Sequence, residues 1–262
     1  MPYEDKPNRP PRTFHHTTPK PTNTDIVFGI QSVLETLRSG KEIDKILVQR
    51  ELGSLEILEF ARLKNVPVQK VPIEKLNSIT RKNHQGVIAF VSVVNYAKLE
   101  NIVADVYEKG QIPFILVLDR ITDVRNFGAI ARTAECAGVQ AIVIPARGAA
   151  QINADAMKTS SGALNFIPVC KENHLLQTVR YLQESGIQVV ACTEKTDKSI
   201  YAIDLTIPTA ILLGSEEDGI SEDLLCQVDE FASIPMTGRV GSLNVSVANG
   251  VVLYEVIRQR LV

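Results

Sequence analysis

The feature that most constrains this chain is a regular alternation, in its second half, of short β-branched apolar runs with helical patterns. Four runs stand out: FILVLD (114–119), AIVIP (141–145), IQVVAC (187–192) and AILLG (210–214). The segments between them carry apolar residues at helical spacing. This order predicts an α/β fold in which helices cover both faces of a mostly parallel sheet.

A smaller α/β pattern precedes this domain. Residues 25–95 alternate short helical and strand patterns, which predicts a separate N-terminal α/β domain. KLENIVADVYEKG (98–110) is typical of a helix, so residues 96–112 are predicted to link it to the second domain at 113–262. Residues 1–24 are rich in proline and poor in aliphatic side chains, which predicts a disordered, mildly basic tail.

Composition narrows the classes of protein to consider. The chain is 45% hydrophobic but has no apolar run near the roughly 20 residues that a membrane span needs. It lacks the apolar segment of a signal peptide, and its four cysteines form no CxxC pair. We therefore expect a cytoplasmic protein with no membrane partner, no structural disulfide and no metal site.

Charge is distributed unevenly along the chain. Residues 1–95 hold 14 basic against 10 acidic side chains, and residues 96–262 hold 14 against 20. Any surface for a polyanion is therefore expected in the N-terminal third. Ordinary scatter of charge explains the same count equally well.

The first candidate site follows the strand that ends at Asp119. In an open α/β sheet, ligands bind where loops leave the carboxyl ends of the strands. Asn126 is predicted to cap a helix over Gly128 to Ala137. The single arginine in that helix, Arg132, either faces a ligand, an anion or a second subunit, or pairs with Glu135 at the surface.

The second candidate site is ILLGSEEDGIS (211–221). Gly214 ends a buried strand and is expected to admit a flat ligand close to the backbone, while Gly219 closes the turn. Three carboxylates, from Glu216 to Asp218, stand beside the strand end and suit a cation or ribose hydroxyls. A solvated acidic turn is the simpler alternative.

The third candidate site is GRVGSLNVSVANG (238–250), which mixes strand-like and helical patterns. The helical pattern is longer, with Ser242 predicted as its N-cap and an apolar stripe expected to pack inward: Leu243, Val247, Val251, Tyr254, Ile257 and Leu261. Free N–H groups at such a helix start bind anions such as phosphate. A capped helix start facing solvent is the alternative.

Several common catalytic signatures are missing. The sequence has no GxGxxG, no GxxxxGK[ST] and no GxSxG. Its four histidines lie away from the three candidate sites. A nucleotide-dependent oxidoreductase, histidine general-base chemistry and metal hydrolysis are therefore disfavoured.

The three segments, in this order, strongly resemble the motifs of the SpoU/TrmH family of RNA ribose 2′-O-methyltransferases. The matching pieces are NFGAIARTA (126–134), LGSE (213–216), and IPM (234–236) followed by SLNVSVA (242–248). The N-terminal part, from FGIQSVLETL to NHQGVIAF, is similar to the family's substrate-binding domain, which folds like ribosomal protein L30e. The resemblance covers about residues 25–262.

This resemblance implies a SPOUT catalytic domain whose C-terminal segment forms a deep trefoil knot. It also implies S-adenosylmethionine as the methyl donor and a homodimer whose active sites draw on both subunits. Six residues are implied to hold the donor: Gly214, Ile234, Met236, Ser242, Leu243 and Asn244. Five are implied to surround the reaction: Asn126, Arg132, Glu216, Asn244 and Ser246.

The family's role for Arg132 is to activate the ribose 2′-hydroxyl. A guanidinium stays protonated in proteins, so we interpret Arg132 as a phosphate ligand that favours ionisation of the hydroxyl electrostatically. The resemblance is closest to enzymes that methylate a guanosine ribose in 23S rRNA. A tRNA ribose target and a catalytically inactive RNA-binding homologue are the alternatives.

Overall fold

The structure, a computed structural model, describes residues 26–50 and 55–261. The predicted tail at residues 1–24 lies outside the described residues. The strands are Ile26–Phe28 (β1), Ile43–Gln49 (β2), Val68–Val71 (β3), Val87–Val91 (β4), Tyr96–Ala97 (β5), Phe114–Leu118 (β6), Ala141–Pro145 (β7), Val169–Glu172 (β8), Gln188–Cys192 (β9), Thr209–Leu213 (β10) and Glu230–Ala232 (β11).

Helices alternate with these strands along the chain. They are Ile30–Arg38 (α1), Leu55–Leu63 (α2), Ile73–Ile79 (α3), Leu99–Glu108 (α4), Val124–Cys136 (α5), Ala154–Thr159 (α6), Leu175–Glu184 (α7), Glu222–Leu225 (α8) and Val245–Arg260 (α9). Short 3-10 turns occur at Ala163–Asn165 and Ile200–Ala202.

The strands form two sheets. The first has the order β1-β4-β2-β3, in which β4 runs antiparallel to both neighbours and β2 pairs with β3 in parallel. The second has the order β11-β9-β10-β6-β7-β8-β5, with every neighbouring pair parallel. The prediction of an α/β fold with a mostly parallel sheet is therefore confirmed.

The large sheet is buried on both faces. Alternate residues of β6 point to opposite sides, with Leu116 and Leu118 in one apolar cluster and Ile115 and Val117 in the other. Helices α5 and α9 cover the first face, whereas α4 and α7 cover the second. Burial on both faces explains why these strands read as continuous apolar runs.

The segment predicted as a linker is packed into this second unit. Tyr96 and Ala97 pair with Val169 and Cys170 at one edge of the large sheet. Leu99 of α4 is buried in the apolar cluster on the second face. The helix thus covers the sheet as well as connecting the two parts of the chain.

Two predicted helix caps were wrong. Helix α5 begins at Val124, because the carboxylate of Asp123 accepts a hydrogen bond from the Asn126 N–H at 2.7 Å and serves as N-cap. Asn126 therefore lies in the first turn of the helix. Helix α9 is capped by Asn244 rather than Ser242.

The predicted inward stripe of α9 was also wrong. Val247 and Tyr254 are 52% and 53% exposed, whereas the buried face carries Val245, Val252, Leu253 and Val256. This helix has apolar residues nearly all round, so their spacing does not select a face. Packing against α5 and the large sheet selects it.

The end of α9 is fixed by Arg260. Its guanidinium donates to the carbonyl oxygens of Leu205 at 3.0 Å, Pro113 at 3.1 Å and Ile207 at 2.7 Å. It also lies over the ring of Phe114, 5.1 Å from the ring centroid. One side chain thus joins the C-terminal helix to the loops that precede β6 and β10.

We expect Arg260→Ala to lower the free energy of unfolding by about 2–3 kcal/mol, because several charge-assisted hydrogen bonds are lost together. Chemical denaturation measures this change. Arg258→Ala is the control, since Arg258 lies in the same turn and, within the part of the chain that the structure describes, bonds only to Glu255, three residues before it. Equal stability of the two variants would contradict the assigned role of Arg260.

Candidate active site

The candidate site lies at the carboxyl ends of β6 and β10, beside the start of α9. The loop after β10 folds back on itself: the Ser215 N–H donates to the Gly219 carbonyl at 3.1 Å, and the Gly219 N–H donates to the Ser215 carbonyl at 3.0 Å. Gly219 has a φ of +67°, which suits glycine. The prediction that Gly219 closes this turn is confirmed.

Gly214 is needed by the loop itself. A Cβ at this position would lie 2.1 Å from the carbonyl carbon of Gly219 and 2.2 Å from the Ile220 nitrogen. The backbone that approaches Gly214 closely is thus the chain's own. Gly214 shapes the turn that presents Glu216.

Two residues that were not predicted for the site hold this turn in place. The buried carboxylate of Asp119 accepts a hydrogen bond from the Ser221 N–H at 2.7 Å. Arg120 donates to Asp218 and to the Gly219 carbonyl, each at 3.2 Å. Their position at the end of the FILVLD run was a usable signal, since ligand loops begin there.

Side chains from all three sequence motifs meet above this turn. Glu216 Oε1 accepts hydrogen bonds from Asn126 Nδ2 at 3.1 Å, Asn244 Nδ2 at 2.5 Å and the Val245 N–H at 3.2 Å. Asn244 Nδ2 also donates to Asn126 Oδ1 at 3.1 Å. We call Asn126, Glu216, Asn244 and Ser246 the amide–carboxylate cluster.

Ser246 joins the cluster through the N-cap of α9. Asn244 Oδ1 accepts from the Ser246 N–H at 3.0 Å and from Ser246 Oγ at 2.5 Å. The Asn244 side chain therefore has both ends engaged, which fixes its orientation. Glu216 Oε2, in contrast, has no hydrogen-bond partner among the described residues.

The cluster opens onto a cleft of about 310 Å³, which we call the cluster cleft. Its lining includes four carboxylates: Asp123, Glu216, Glu217 and Asp218. Arg120 is the one cation in the lining, and it is paired with Asp119 and Asp218. The cleft by itself is thus poorly suited to a phosphate.

A second pocket lies at the ends of β9 and β10. We call it the strand-end pocket, and its lining contains four of the predicted donor-binding residues: Ile234, Met236, Ser242 and Leu243. Gly214 and Asn244 do not line it. Asn244 belongs to the cluster, and Gly214 acts through the turn described above.

Sequence reasoning missed three residues of this pocket. Cys192, Thr193 and Glu194 follow β9 and line its wall. The IQVVAC run was recognised as a strand, so the rule that ligand loops follow parallel strands could have found them. Burial raises the pKa of the Cys192 thiol to about 12, which keeps it protonated and unreactive at neutral pH.

The residues of the strand-end pocket suit a base and its ribose. Leu213, Ile234 and Leu243 offer apolar surface to a flat base. The carboxylate of Glu194 is suited to accept hydrogen bonds from ribose hydroxyls. The described residues 26–50 and 55–261 contain no cluster of side chains suited to hold a metal ion.

Arg132 stands apart from the other predicted residues. Its side chain is exposed and contacts neither the cluster nor Glu135 through any hydrogen bond or ion pair in the described part of the chain. Six helical residues separate it from Asn126, a rotation of about 600°, so the two side chains leave α5 in different directions. Within the described residues, Arg132 therefore makes no polar contact with the cluster of its own chain.

Family models match both parts of the chain. The family model described as SpoU rRNA Methylase matches residues 113–254. The model described as RNA 2′-O ribose methyltransferase substrate binding matches residues 26–97. Within the described residues, no helix is both long enough and apolar enough to cross a membrane.

Relatives match over nearly the whole chain. YacO of Bacillus subtilis, described as a TrmH family tRNA/rRNA methyltransferase, is 35% identical over 90% of this chain and 96% of its own length. The 23S rRNA (guanosine-2′-O-)-methyltransferase RlmB of Vibrio parahaemolyticus is 36% identical over 91% of this chain and 98% of its own.

Two solved structures share the fold. An AdoMet-bound rRNA methyltransferase from Sinorhizobium meliloti is 26% identical, with a TM-score of 0.58 over 89% of this chain and 87% of its own. The SpoU methyltransferase AviRb from Streptomyces viridochromogenes, in complex with the cofactor AdoMet, is 26% identical, with a TM-score of 0.57 over 90% of each chain. The resemblance seen in the three motifs is therefore confirmed, and this chain belongs to the SpoU family of RNA methyltransferases.

Proposed function

We propose that this chain transfers a methyl group from S-adenosylmethionine to a ribose 2′-hydroxyl of RNA, with a guanosine of 23S rRNA as the target. The observation that carries the proposal is the amide–carboxylate cluster beside the strand-end pocket. A relative whose name states this target, RlmB of Vibrio parahaemolyticus, supports the choice. Because bacterial rRNA is made and modified in the cytoplasm, we infer that this protein is cytoplasmic.

The strand-end pocket is where we place the methyl donor. Ile234, Met236, Ser242 and Leu243 line it, and Glu194 is available for ribose hydroxyls. When bound, S-adenosylmethionine supplies a methyl group that its sulfonium already activates. The chain's task is then to hold the acceptor hydroxyl in line and to take its proton.

We assign to Glu216 the role of accepting the proton of the ribose 2′-hydroxyl. Its Oε1 is held by three donors from Asn126, Asn244 and the start of α9. Its Oε2 lacks a partner among the described residues, and Glu216 lines the cluster cleft. A carboxylate held in this way is a suitable general base for a hydroxyl bound in the cleft.

We expect Glu216→Gln to lower kcat by about 10²- to 10⁴-fold, the usual contribution of a general base. The Gln side-chain oxygen retains an acceptor for the three donors, so folding and donor binding are expected to be unchanged. Single-turnover methyl transfer measures the rate, and calorimetry measures donor affinity. Glu184→Gln, at an exposed glutamate of α7 outside the cleft lining, is the matched control; a full rate in Glu216→Gln would exclude the assignment.

We also propose that the protein acts as a homodimer. Val247 and Tyr254 are exposed on the outer face of α9 together with Leu243 and the half-exposed Val251. An apolar face of this kind favours association with a second copy. Dimerisation also supplies what the cluster cleft lacks, since Arg132 of a second copy can bring an unpaired cation to the RNA phosphate.

Transfer of labelled methyl to purified RNA tests the function directly. We expect incorporation into transcribed 23S rRNA, at a ribose that resists alkaline cleavage. Incorporation into tRNA alone would show that the substrate is tRNA and that the reaction is still methyl transfer to RNA. No incorporation into either RNA, together with no heat on titration with S-adenosylmethionine, would contradict the proposed reaction. It would favour the alternative of an inactive RNA-binding homologue.

A further inference from the structure

A third pocket lies between the two sheets. It encloses about 420 Å³, within the range of small-ligand sites. We call it the interdomain pocket. Pro67 and Val68 line it from the N-terminal unit, and Ile144 and Pro145 line it from the end of β7. Its walls thus combine apolar and polar side chains and come from both parts of the chain.

Asp44 of β2 is the buried polar group in this pocket. It is only 8% exposed. Its Oδ1 accepts hydrogen bonds from the Tyr96 hydroxyl and from Lys171 Nζ, the latter at 3.1 Å. Its Oδ2 is buried and has no hydrogen-bond partner among the described residues. A buried carboxylate oxygen without a donor is unfavourable, so it indicates a ligand that brings an N–H or O–H group.

Basic side chains stand around the same pocket. Lys45, Arg147 and Lys171 all line it. Lys171 is engaged by Asp44 and lies 4.6 Å from the centroid of the Tyr96 ring. Arg147 is exposed and has no carboxylate partner among the described residues. A ligand that carries phosphate next to an apolar, N–H-bearing group fits this lining.

The interdomain pocket and the cluster cleft adjoin each other. Gly148 lines both. A strand of RNA whose ribose lies at the amide–carboxylate cluster can therefore place a neighbouring nucleotide in the interdomain pocket. Proteins that read RNA by sequence commonly bind such unstacked bases in pockets, through hydrogen bonds to the base edge.

We propose that the interdomain pocket binds a nucleobase of the RNA substrate close to the methylated nucleotide, with a base N–H donating to Asp44 Oδ2. The base lies between the apolar residues of the two units, and Arg147 contacts an adjoining phosphate. This inference rests on the proposed function, because it requires an RNA substrate. The junction of the two units would then help to select the nucleotide that is methylated.

Two variants of the full chain test the pocket by different means. In Asp44→Asn the amide oxygen retains the bonds from Tyr96 and Lys171, which places an NH₂ where Oδ2 was and turns the acceptor into a donor. Ala146→Phe adds bulk to the lining without changing charge. Arg180→Ala is the control, since Arg180 is an exposed arginine of α7 that does not line the pocket.

The measurement is the affinity for transcribed 23S rRNA and for total tRNA, by filter binding with S-adenosylhomocysteine present. We expect both pocket variants to bind the RNA about tenfold more weakly, the effect of losing one hydrogen bond to a charged group. The melting temperature of Ala146→Phe and the affinity of both variants for S-adenosylmethionine are expected to match the wild type. Asp44→Asn is expected to melt at a lower temperature, because Lys171 loses its carboxylate partner. Irradiation at 254 nm is expected to attach a nucleotide to peptides that line the pocket.

The outcomes separate this inference from the proposed function. If the wild type binds RNA and the folded Ala146→Phe variant binds it equally well, the pocket proposal is wrong and the function stands. If the wild type binds neither RNA, both fail. Should Asp44→Asn prove unstable, Ala146→Phe and the crosslinked peptides still decide the matter.

Discussion

Replacement of Gly214 by alanine is expected to lower the free energy of unfolding by about 4 kcal/mol or more, among the largest effects of a single methyl group. The added Cβ would lie 2.1 Å from the backbone of Gly219. Backbone atoms cannot rotate away as a side chain can, so the loop after β10 must open. Because domains of this size have only about 5–15 kcal/mol of stability, the loss is a large share.

Chemical denaturation measures this loss, and Gly219→Ala provides the comparison. Gly219 has open space around its added Cβ, and only its φ of +67° opposes a side chain. We expect that variant to lose about 1–2 kcal/mol. If Gly214→Ala were as stable as Gly219→Ala, the close approach would not determine the residue at position 214.

Replacement of Arg132 by alanine is expected to lower kcat by about 10²- to 10³-fold, the usual cost of removing one group that stabilises developing negative charge. Among the described residues, Arg132 has no hydrogen bond or ion pair to the cluster of its own chain, so we expect it to act in the site of a second copy. Donor binding is expected to remain unchanged, since Arg132 does not line the strand-end pocket.

A mixed dimer distinguishes the two arrangements. One subunit carries Arg132→Ala and the other carries Glu216→Gln, with a different affinity tag on each. If Arg132 serves the other subunit's site, one of the two sites is intact and about half of the wild-type rate returns. If Arg132 serves its own subunit's site, both sites are defective and the mixed dimer is as slow as either parent. The second result would exclude a shared active site.

The strands that the sequence predicted are those buried on both faces. The AIVIP run is strand β7 with the predicted bounds. The FILVLD run is strand β6, which is one residue shorter than the run. Two of the strands that were missed, β8 and β11, are short and contain charged residues: Lys171 and Glu172 in β8, and Glu230 in β11. Short strands with polar residues give no continuous apolar run, so their pairing depends on the neighbours that the fold brings to them.

The residues of the site were identified from motifs, but their arrangement was not. Asn126 and Glu216 are 90 positions apart, and Asn126 and Asn244 are 118 apart, yet all three are hydrogen-bonded to one another. The family resemblance grouped them without giving the partner of each. The expected cap at Asn126 was wrong for the same reason, since Asp123 was the nearer acceptor and left the Asn126 side chain free for Glu216.

By itself the sequence determined the α/β class, the mostly parallel direction of the long strands and the three motif segments, because each depends on local periodicity or residue type. The tertiary structure decided which face of α9 is buried, where Arg132 points and what encloses Asp44. These features depend on contacts between segments far apart in the chain. An apolar helix or a lone charged residue has several possible environments, and only the packed molecule selects one.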